Sequence, residues 1–550
     1  MIPDAINLWC WKLTKCFFLD QHGCAKNQVD GELIIGILTE IGWYRTLEPE
    51  KAALIIVNSC GFIEPAKRES IEAVVTARTA YPQAKILLAG CLAERYGEVF
   101  TTEFEEADAF FGNGDLSQLP VLIAQLFPQK SQGNGNTSIK AAAQQPKLRL
   151  RQAGKQPFAP SGHPFLKPAQ EGVCCGPRPE LLNFPRSVFI KITEGCNNCC
   201  SFCAIPLIRG SVRSRPLSSI VVEIQEFVQR GCREFNLIGQ DLAVYETSAC
   251  SHRLPLTTSP SSLKQQTDIV SLSQTPAKPQ QERSGLAQLL TAISGITGAF
   301  KIRLLYIHPD HFPLDILPVM ISDSRFLPYF DIPFQSGSSS IIRAMNRSGS
   351  AESYLCLAET IRAAFRDAKS PYGEAVIRTT FLTGFPGETQ DDFDRTAAFL
   401  NALQSLWSGA FAYSQEEGTQ AACMKKKVPA KIAEQRKTAL NELQLSITEK
   451  KLAGFCGQEM DILIEEVIPP ALKDTASTHS NAGGFEAEHA DEYRIALGRA
   501  WFQAPEVDGA VVVNFSQMQK DSEGNPITAG SLVRVRITAL RGIDLEADAL

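Results

Sequence analysis

The chain is 550 residues long, carries a formal net charge of −6 and contains 44% hydrophobic and 21% charged residues. That length exceeds a single core and points to about three domains, while the acidic balance excludes a general electrostatic attraction to nucleic acid or anionic membranes. The 16 cysteines lack the dense framework of a small secreted domain and point to metal ligation in a reducing cytoplasm, and no apolar run has membrane-spanning length.

Residues 1 to 16 read as an extension without the charged start and small-residue cleavage site of a secretion signal. From 17 to 128, short apolar runs alternate with helical periodicity, the pattern of an α/β sheet domain. Three of these runs end alike. FFLDQHGCAKN, AALIIVNSCGFI and KILLAGCLAERYG place Cys24, Cys60 and Cys91 where a strand gives way to a loop. In a parallel sheet such points share one edge, the usual position of a ligand site, so three equivalent cysteines predict a three-cysteine cluster.

Residues 129 to 184, rich in Gln, Gly, Pro and Lys, read as a linker, and Cys174 and Cys175 within it have no assigned role. The central domain, 185 to 425, opens with a strand that delivers IKITEGCNNCCSFCAIPLIRG. Here Cys196, Cys200 and Cys203 stand in C-x3-C-x2-C spacing, and Cys199 offers an alternative C-x2-C-x3-C register through Cys196 and Cys203. Three thiolates from one tight loop suit a cubane iron–sulfur cluster better than structural zinc, which normally takes four protein ligands, and they leave one iron open.

Repeated strand and helix units follow, interrupted by a Ser/Thr/Gln/Pro-rich insertion at 251 to 285 that reads as a surface loop. These units predict a parallel barrel or partial barrel with its chemistry at the C-terminal strand ends. The turn Gly239, Gln240, Asp241 and the turn from Gly384 to Glu388 fall at such ends. His308 and His311, in a Pro-containing loop, read as surface residues. Cys10, Cys16, Cys232, Cys250, Cys356, Cys423 and Cys456 follow no pattern and read as structural. Residues 426 to 454 read as a charged helical spacer with a solvated face, and 455 to 550 as a small all-β barrel of four or five strands.

The motif from 190 to 210 resembles the signature of radical S-adenosylmethionine (SAM) enzymes, and HGCAKN, VNSCGFI and AGCLAERYG resemble the first domain of the methylthiotransferase branch. The final barrel is similar to that branch's TRAM module. Lys26 and Asn27 after Cys24, Gly61 after Cys60, CSFCAIP, YSQEEGT at 413 to 419 and APEVDG at 504 to 509 resemble the RimO type, which modifies an aspartate of ribosomal protein S-twelve. QSGS at 335 to 338 resembles instead the MiaB and MtaB types, which modify tRNA adenosine. Charge favours the first. The segment from 455 to 550 holds 7 Lys or Arg and 16 Asp or Glu, a net −9, which repels phosphate and attracts a basic ribosomal protein.

The resemblance implies two 4Fe–4S clusters and SAM as cofactors. Cys196, Cys200 and Cys203 would hold the cluster whose open iron binds SAM and cleaves it to a 5′-deoxyadenosyl radical, and the family spacing selects Cys200 over Cys199. Phe202, Gly239, Gln240, Gly384, Gly387 and Glu388 would lie beside that cofactor. Cys24, Cys60 and Cys91 would hold an auxiliary cluster carrying the sulfur to be methylated and transferred to the β-carbon of the aspartate. The implied partner is S-twelve, in the assembling small subunit, with no membrane and no direct nucleic-acid recognition. A non-catalytic iron–sulfur protein is the remaining alternative.

Overall fold

A computed structural model describes residues 15–128, 163–246, 283–469 and 493–550. Residues 1–14 with Cys10, residues 129–162, Cys250 and nearly all of the 251–285 insertion lie outside the described residues. Among the described residues no helix is long and apolar enough to cross a membrane.

The first body is a six-stranded, wholly parallel sheet. Its strands are β1 (Cys16–Gln21), β2 (Tyr44–Arg45), β3 (Leu54–Ser59), β4 (Lys85–Gly90), β5 (Ala109–Phe111) and β6 (Phe165–Leu166), in the order β2-β1-β3-β4-β5-β6. β3 is buried at every position, as a strand covered on both faces must be. The helices α1 (Ala25–Glu40), α2 (Glu64–Ala80) and α3 (Cys91–Glu103) leave the ends of β1, β3 and β4.

The stretch 163–184, expected to belong to a linker, is built into the fold. Phe165 and Leu166 form the edge strand against Phe110 and Phe111. Arg178 is buried, with an ion pair to Glu32 at 2.7 Å and a hydrogen bond to the Phe189 carbonyl at 2.9 Å. A polar, Pro-containing composition hid this role, because its buried contacts are made by a charged side chain.

The central body is a second parallel sheet of β7 (Ser187–Lys191), β8 (Glu234–Ile238), β9 (Lys301–Leu304), β10 (Phe326–Asp331), β11 (Val376–Thr383) and β12 (Trp407–Ala412), paired consecutively from β7 to β12 without closing. This is a partial (β/α) barrel. The short helix α4 (Ile205–Arg209) follows the cysteine loop, and the long helix α5 (Ala430–Leu452) packs on β12.

α5 is not a solvated spacer. Ala433, Arg436, Leu440, Gln444, Ile447, Thr448 and Leu452 form one buried stripe, and Gln444 accepts hydrogen bonds from Ser405 at 3.0 Å and Ser408 at 2.7 Å. Polar members of that stripe disguised it as an exposed face. The last body is a closed five-stranded barrel of β13 (Glu459–Ile468), β14 (Tyr493–Arg499), β15 (Val511–Ser516), β16 (Leu532–Arg541) and β17 (Asp544–Ala549), in the order β13-β14-β15-β17-β16. The fold is thus α/β with an all-β module at its end.

Candidate active site

β7 runs buried through SVFIK and releases the chain into the cysteine loop at the C-terminal end of the central sheet. The loop is pinned on several sides. Cys196 N donates to Gly210 O at 3.1 Å, Ser201 N to Met345 O at 3.0 Å, and Ala421 N to Ser201 O at 2.8 Å. Asn198 donates its amide to Asp241 at 2.8 Å, and Asn346 donates to the Cys199 carbonyl at 2.9 Å. Under this loop lies a cavity of about 160 Å³ lined by Cys196, Cys200 and Cys203 together with Phe202, Gln240, Tyr306, His308, Gln335 and Arg347. A roomier hollow of about 520 Å³ lies over Arg178 and Ser219, away from both cysteine trios; volume alone does not mark the site.

Cys199 also reaches the cavity wall, but it is exposed and its backbone is left-handed at φ 51°. Cys203 feels the charges of Cys200 and Cys196. Burial pushes the Cys196 and Cys203 thiols up to about 12, so at neutral pH they ionise only when a cation replaces the proton, the behaviour of soft metal ligands.

His308 and His311 are not the surface pair expected. Their rings stack with centroids 4.7 Å apart and planes 5° apart. His308 is buried with Nε2 3.8 Å from Cys200 Sγ, and His311 Nε2 lies 2.9 Å from Asp241. Burial, with Arg347 adding to it, holds the His308 imidazole down at about 3, so it stands neutral beside the cysteine. The available signal was position: His308 follows the apolar run IRLLYI, at the end of a strand.

The N-terminal trio assembles as the strand pattern predicts. β1, β3 and β4 are neighbours in register, so Cys24 caps α1, Cys60 follows β3 and Cys91 begins α3 along one edge. The backbones there are crowded. A Cβ on Gly61 would meet the Cys91 carbonyl oxygen at 2.6 Å, and Gly23, at φ +88°, leaves 3.0 Å to Cys60 Cβ. Cys91 Sγ accepts from Arg209 at 3.1 Å. Burial raises the Cys24 thiol, but the Lys26 and Arg209 charges outweigh it and the net shift is downward; Cys60 is pushed up to about 12, chiefly by burial.

Among the described residues no three His, Cys, Asp or Glu side chains close on a single metal ion. A cluster asks for something else, one soft thiolate per iron, and both trios offer three thiols on one rim. The donor chemistry therefore fits a cluster at each place.

Residues beside each trio touch the other body. Phe62, two residues beyond Cys60, lines the cavity of the central loop. Lys26 Nζ sits 3.3 Å from the centroid of the Tyr306 ring, and Tyr306 lines the same cavity at φ 70°. Buried ion pairs fix this meeting: Arg209 to Asp30 at 2.7 Å and to Glu194, and Lys191 to Asp30. Glu416, in the YSQEEGT segment, pairs with Arg95 at 2.7 Å and Lys67 at 3.2 Å on the first body.

Of the remaining expected cofactor neighbours, Phe202 and Gln240 line the cavity. Gly239, Gly384, Gly387 and Glu388 are not among its lining residues. Glu388 instead accepts from Gly384 N at 3.0 Å and pairs with Arg436 at 2.6 Å, so this turn receives α5. Gly239 allows close passage of the Thr193 hydroxyl, which a Cβ would meet at 1.9 Å.

A consecutive parallel partial barrel with a cysteine trio at its strand ends, joined to a TRAM barrel, defines a radical SAM enzyme. The radical SAM superfamily model matches residues 190–400, the model described as uncharacterized protein family UPF0004 matches 16–112, and the TRAM domain model matches 486–550. The chain is 53% identical to the ribosomal protein uS12 methylthiotransferase RimO of Treponema denticola, over 97% of this chain and all of that one. It is 32% identical to the RimO of Aquifex aeolicus, over 95% of this chain and 94% of that one, and 30% identical to that of Koribacter versatilis, over 96% and 95%. The chain belongs to the RimO family of radical SAM methylthiotransferases. SAM and two 4Fe–4S clusters are the cofactors this membership entails.

Proposed function

We propose that the protein adds a methylthio group to the β-carbon of an aspartate of uS12, the S-twelve protein of the small ribosomal subunit, in the cytoplasm. The observation that carries this reading is the 53% identity to a uS12 enzyme over nearly the whole chain, supported by Phe62 lining the central cavity and Lys26 resting on its Tyr306 wall. Cys196, Cys200 and Cys203 hold the cluster that binds SAM, and Cys24, Cys60 and Cys91 hold the auxiliary cluster. When bound, these cofactors supply the one-electron chemistry and the sulfur that no side-chain base can replace at an unactivated carbon.

The chain's own residues bind and orient. Asn198 and Asp241 hold the central loop, and Asp241 in turn holds His311. His308, neutral and buried, keeps a polar but uncharged face toward Cys200. Phe202 and Gln240 contact the cofactor, while Gly239, Gly384, Gly387 and Glu388 shape the walls behind it. Phe62 and Tyr306 form part of the cavity wall on the side of the first body.

The acidic terminal module, net −9 from 455 to 550, suits a basic ribosomal protein better than RNA. Its surface arginines Arg534 and Arg536 are themselves paired with Asp461 and Glu459. The test is to incubate the anaerobically reconstituted enzyme with SAM, reductant and either uS12 or tRNA, and to read both by mass spectrometry. A methylthio group on uS12 alone is expected; transfer to tRNA alone overturns the reading.

A further inference from the structure

The central sheet has a second hollow, at the edge where its strands begin. This cavity of about 400 Å³ opens beside Val376, the first residue of β11, and Leu406, just before β12. The cysteine loop leaves the opposite, C-terminal end of the same sheet. The helix Ala351–Asp367, the last turn of α5 and the terminal barrel close the hollow through Arg362, Lys451 and Trp501. Its size falls within the roughly 300–1,000 Å³ of small-molecule sites.

One wall is aromatic and fixed in place. Tyr372 and Trp501 meet with ring centroids 5.1 Å apart, Phe502 braces Trp501 edge-on at 5.4 Å, and the Tyr372 hydroxyl donates to the Ser324 carbonyl at 2.8 Å. Both lining rings are half-buried. Facing them are two cations. Among the described residues no carboxylate lies within ion-pair distance of Arg362 or Lys451; Arg362 donates to the Gln404 carbonyl at 3.0 Å, and Glu374 on the rim is engaged by Arg366 at 3.2 Å. Burial pushes both cations' pKa values down, and the Arg362 charge adds to the effect on Lys451. The negative end of α5 offsets part of this for Lys451, whereas Arg362 lies short of its helix end.

From this geometry we propose that the hollow is a nucleotide-binding site, with a base laid on the Tyr372 and Trp501 rings and a phosphate held by Arg362 and Lys451. Bases stack on aromatic side chains through the π-face that every base has. A phosphate monoester carries about −1.5 to −2 charges at neutral pH and so matches two cations better than a monocarboxylate does. Gln404 and Gln458 on the same walls carry amide groups that can pair with a base edge. A single phosphate needs these two cations rather than a basic surface, so the acidic terminal module does not oppose it. The proposal goes beyond the methylthio transfer above and does not rest on it.

The experiment is calorimetric titration of the holoenzyme without reductant and with saturating SAM, so that the cofactor's own adenine site is filled. The probes are AMP, GMP, adenosine, inorganic phosphate, benzoate and a 5′-phosphorylated oligoribonucleotide. They are titrated into wild type, Arg362→Gln, Lys451→Gln, the double variant and Trp501→Phe. AMP or GMP should bind wild type, and each loss of a cation should weaken binding about 10-fold. Adenosine on wild type should bind no more tightly than AMP on the double variant, and AMP should quench tryptophan fluorescence in wild type but not in Trp501→Phe. Binding of the oligoribonucleotide alone, lost in the double variant, also supports the site and assigns the nucleotide to an RNA end. Absence of nucleotide binding, equal AMP affinity in wild type and double variant, or phosphate or benzoate binding as tightly as AMP overturns the proposal. Losses of AMP affinity matched by losses of SAM affinity, measured on the same variants, overturn it as well. Each of these leaves the proposed function standing.

Discussion

Arg209 and Cys91 lie 118 positions apart in the chain, yet the guanidinium donates to the thiol sulfur across 3.1 Å. The arginine ends the helix that follows one cysteine trio and the sulfur belongs to the other, so each half of the site is completed by the opposite body. The same guanidinium holds Asp30 and Glu194. Arg209→Met would leave those buried carboxylates with Lys191 alone, and breaking a buried network of this kind costs about 3–5 kcal/mol. Denaturant unfolding of the cluster-free protein should show that loss, and Arg209→Lys should restore part of it, since a lysine cannot serve several acceptors in fork geometry.

Serine substitutions at adjacent positions separate the two possible registers of the central loop. Cys200→Ser should remove about half of the bound iron, the share of one of two clusters, and abolish SAM cleavage. Cys199→Ser should keep both. In contrast, Cys24→Ser, Cys60→Ser or Cys91→Ser should abolish methylthio transfer while 5′-deoxyadenosine still forms.

Arg499 ties the terminal barrel to the base of the central sheet by donating to both oxygens of Glu234, at 3.0 and 2.6 Å, with Arg303 on the same carboxylate at 3.0 Å. Burial raises the Glu234 carboxyl, but Arg499 and Arg303 outweigh it and hold it well below the usual carboxylate range. A carboxyl depressed in the folded state contributes stability that is complete above its unfolded pKa, about 4.3, and declines as pH falls. Arg499→Met should therefore lower Tm most at neutral pH. The gap between variant and wild type should narrow below about pH 4, measured by calorimetry across that range.

Two glycines of one turn should differ in tolerance. A Cβ on Gly384, at φ +73°, would stand 2.3 Å from the Ala433 Cβ of α5, whereas Gly387, at φ +90°, has no atom within 4 Å of its Cβ position. Gly387→Ala bears only the left-handed backbone cost of about 1–2 kcal/mol. Gly384→Ala adds the displacement of α5 and should lower Tm more, with the difference read in a thermal scan of the two variants.

The dispersed trio was legible because Cys24, Cys60 and Cys91 repeat one local grammar, an apolar run, a small residue and a cysteine, and parallel neighbours align such positions without further information. The central trio was legible from spacing, although Cys199 and Cys200 were separable only by resemblance. What stayed hidden depends on chain-distant partners. Lys26 meeting Tyr306, Arg209 meeting Cys91 and His308 approaching Cys200 leave no periodicity, because each contact joins residues from separate strand ends. Phe165 and Leu166 form too short a strand to alternate, and α5 buries Arg436 and Gln444 at positions where a hydropathy pattern expects apolar residues. Cys174, without a sequence role, bonds the Gly114 carbonyl at 3.1 Å, while Cys356, Cys423 and Cys456 are exposed rather than buried in a core.

The central sheet pairs β7 through β12 without joining its two edges. Main-chain hydrogen bonds therefore set every spacing in the half-barrel except the seam between β7 and β12. On one side of that seam α1 of the first body packs on β7, and on the other Trp407 of β12 donates to Phe502 of the terminal barrel at 2.6 Å. The width of the seam is consequently a property of side-chain docking rather than of strand pairing.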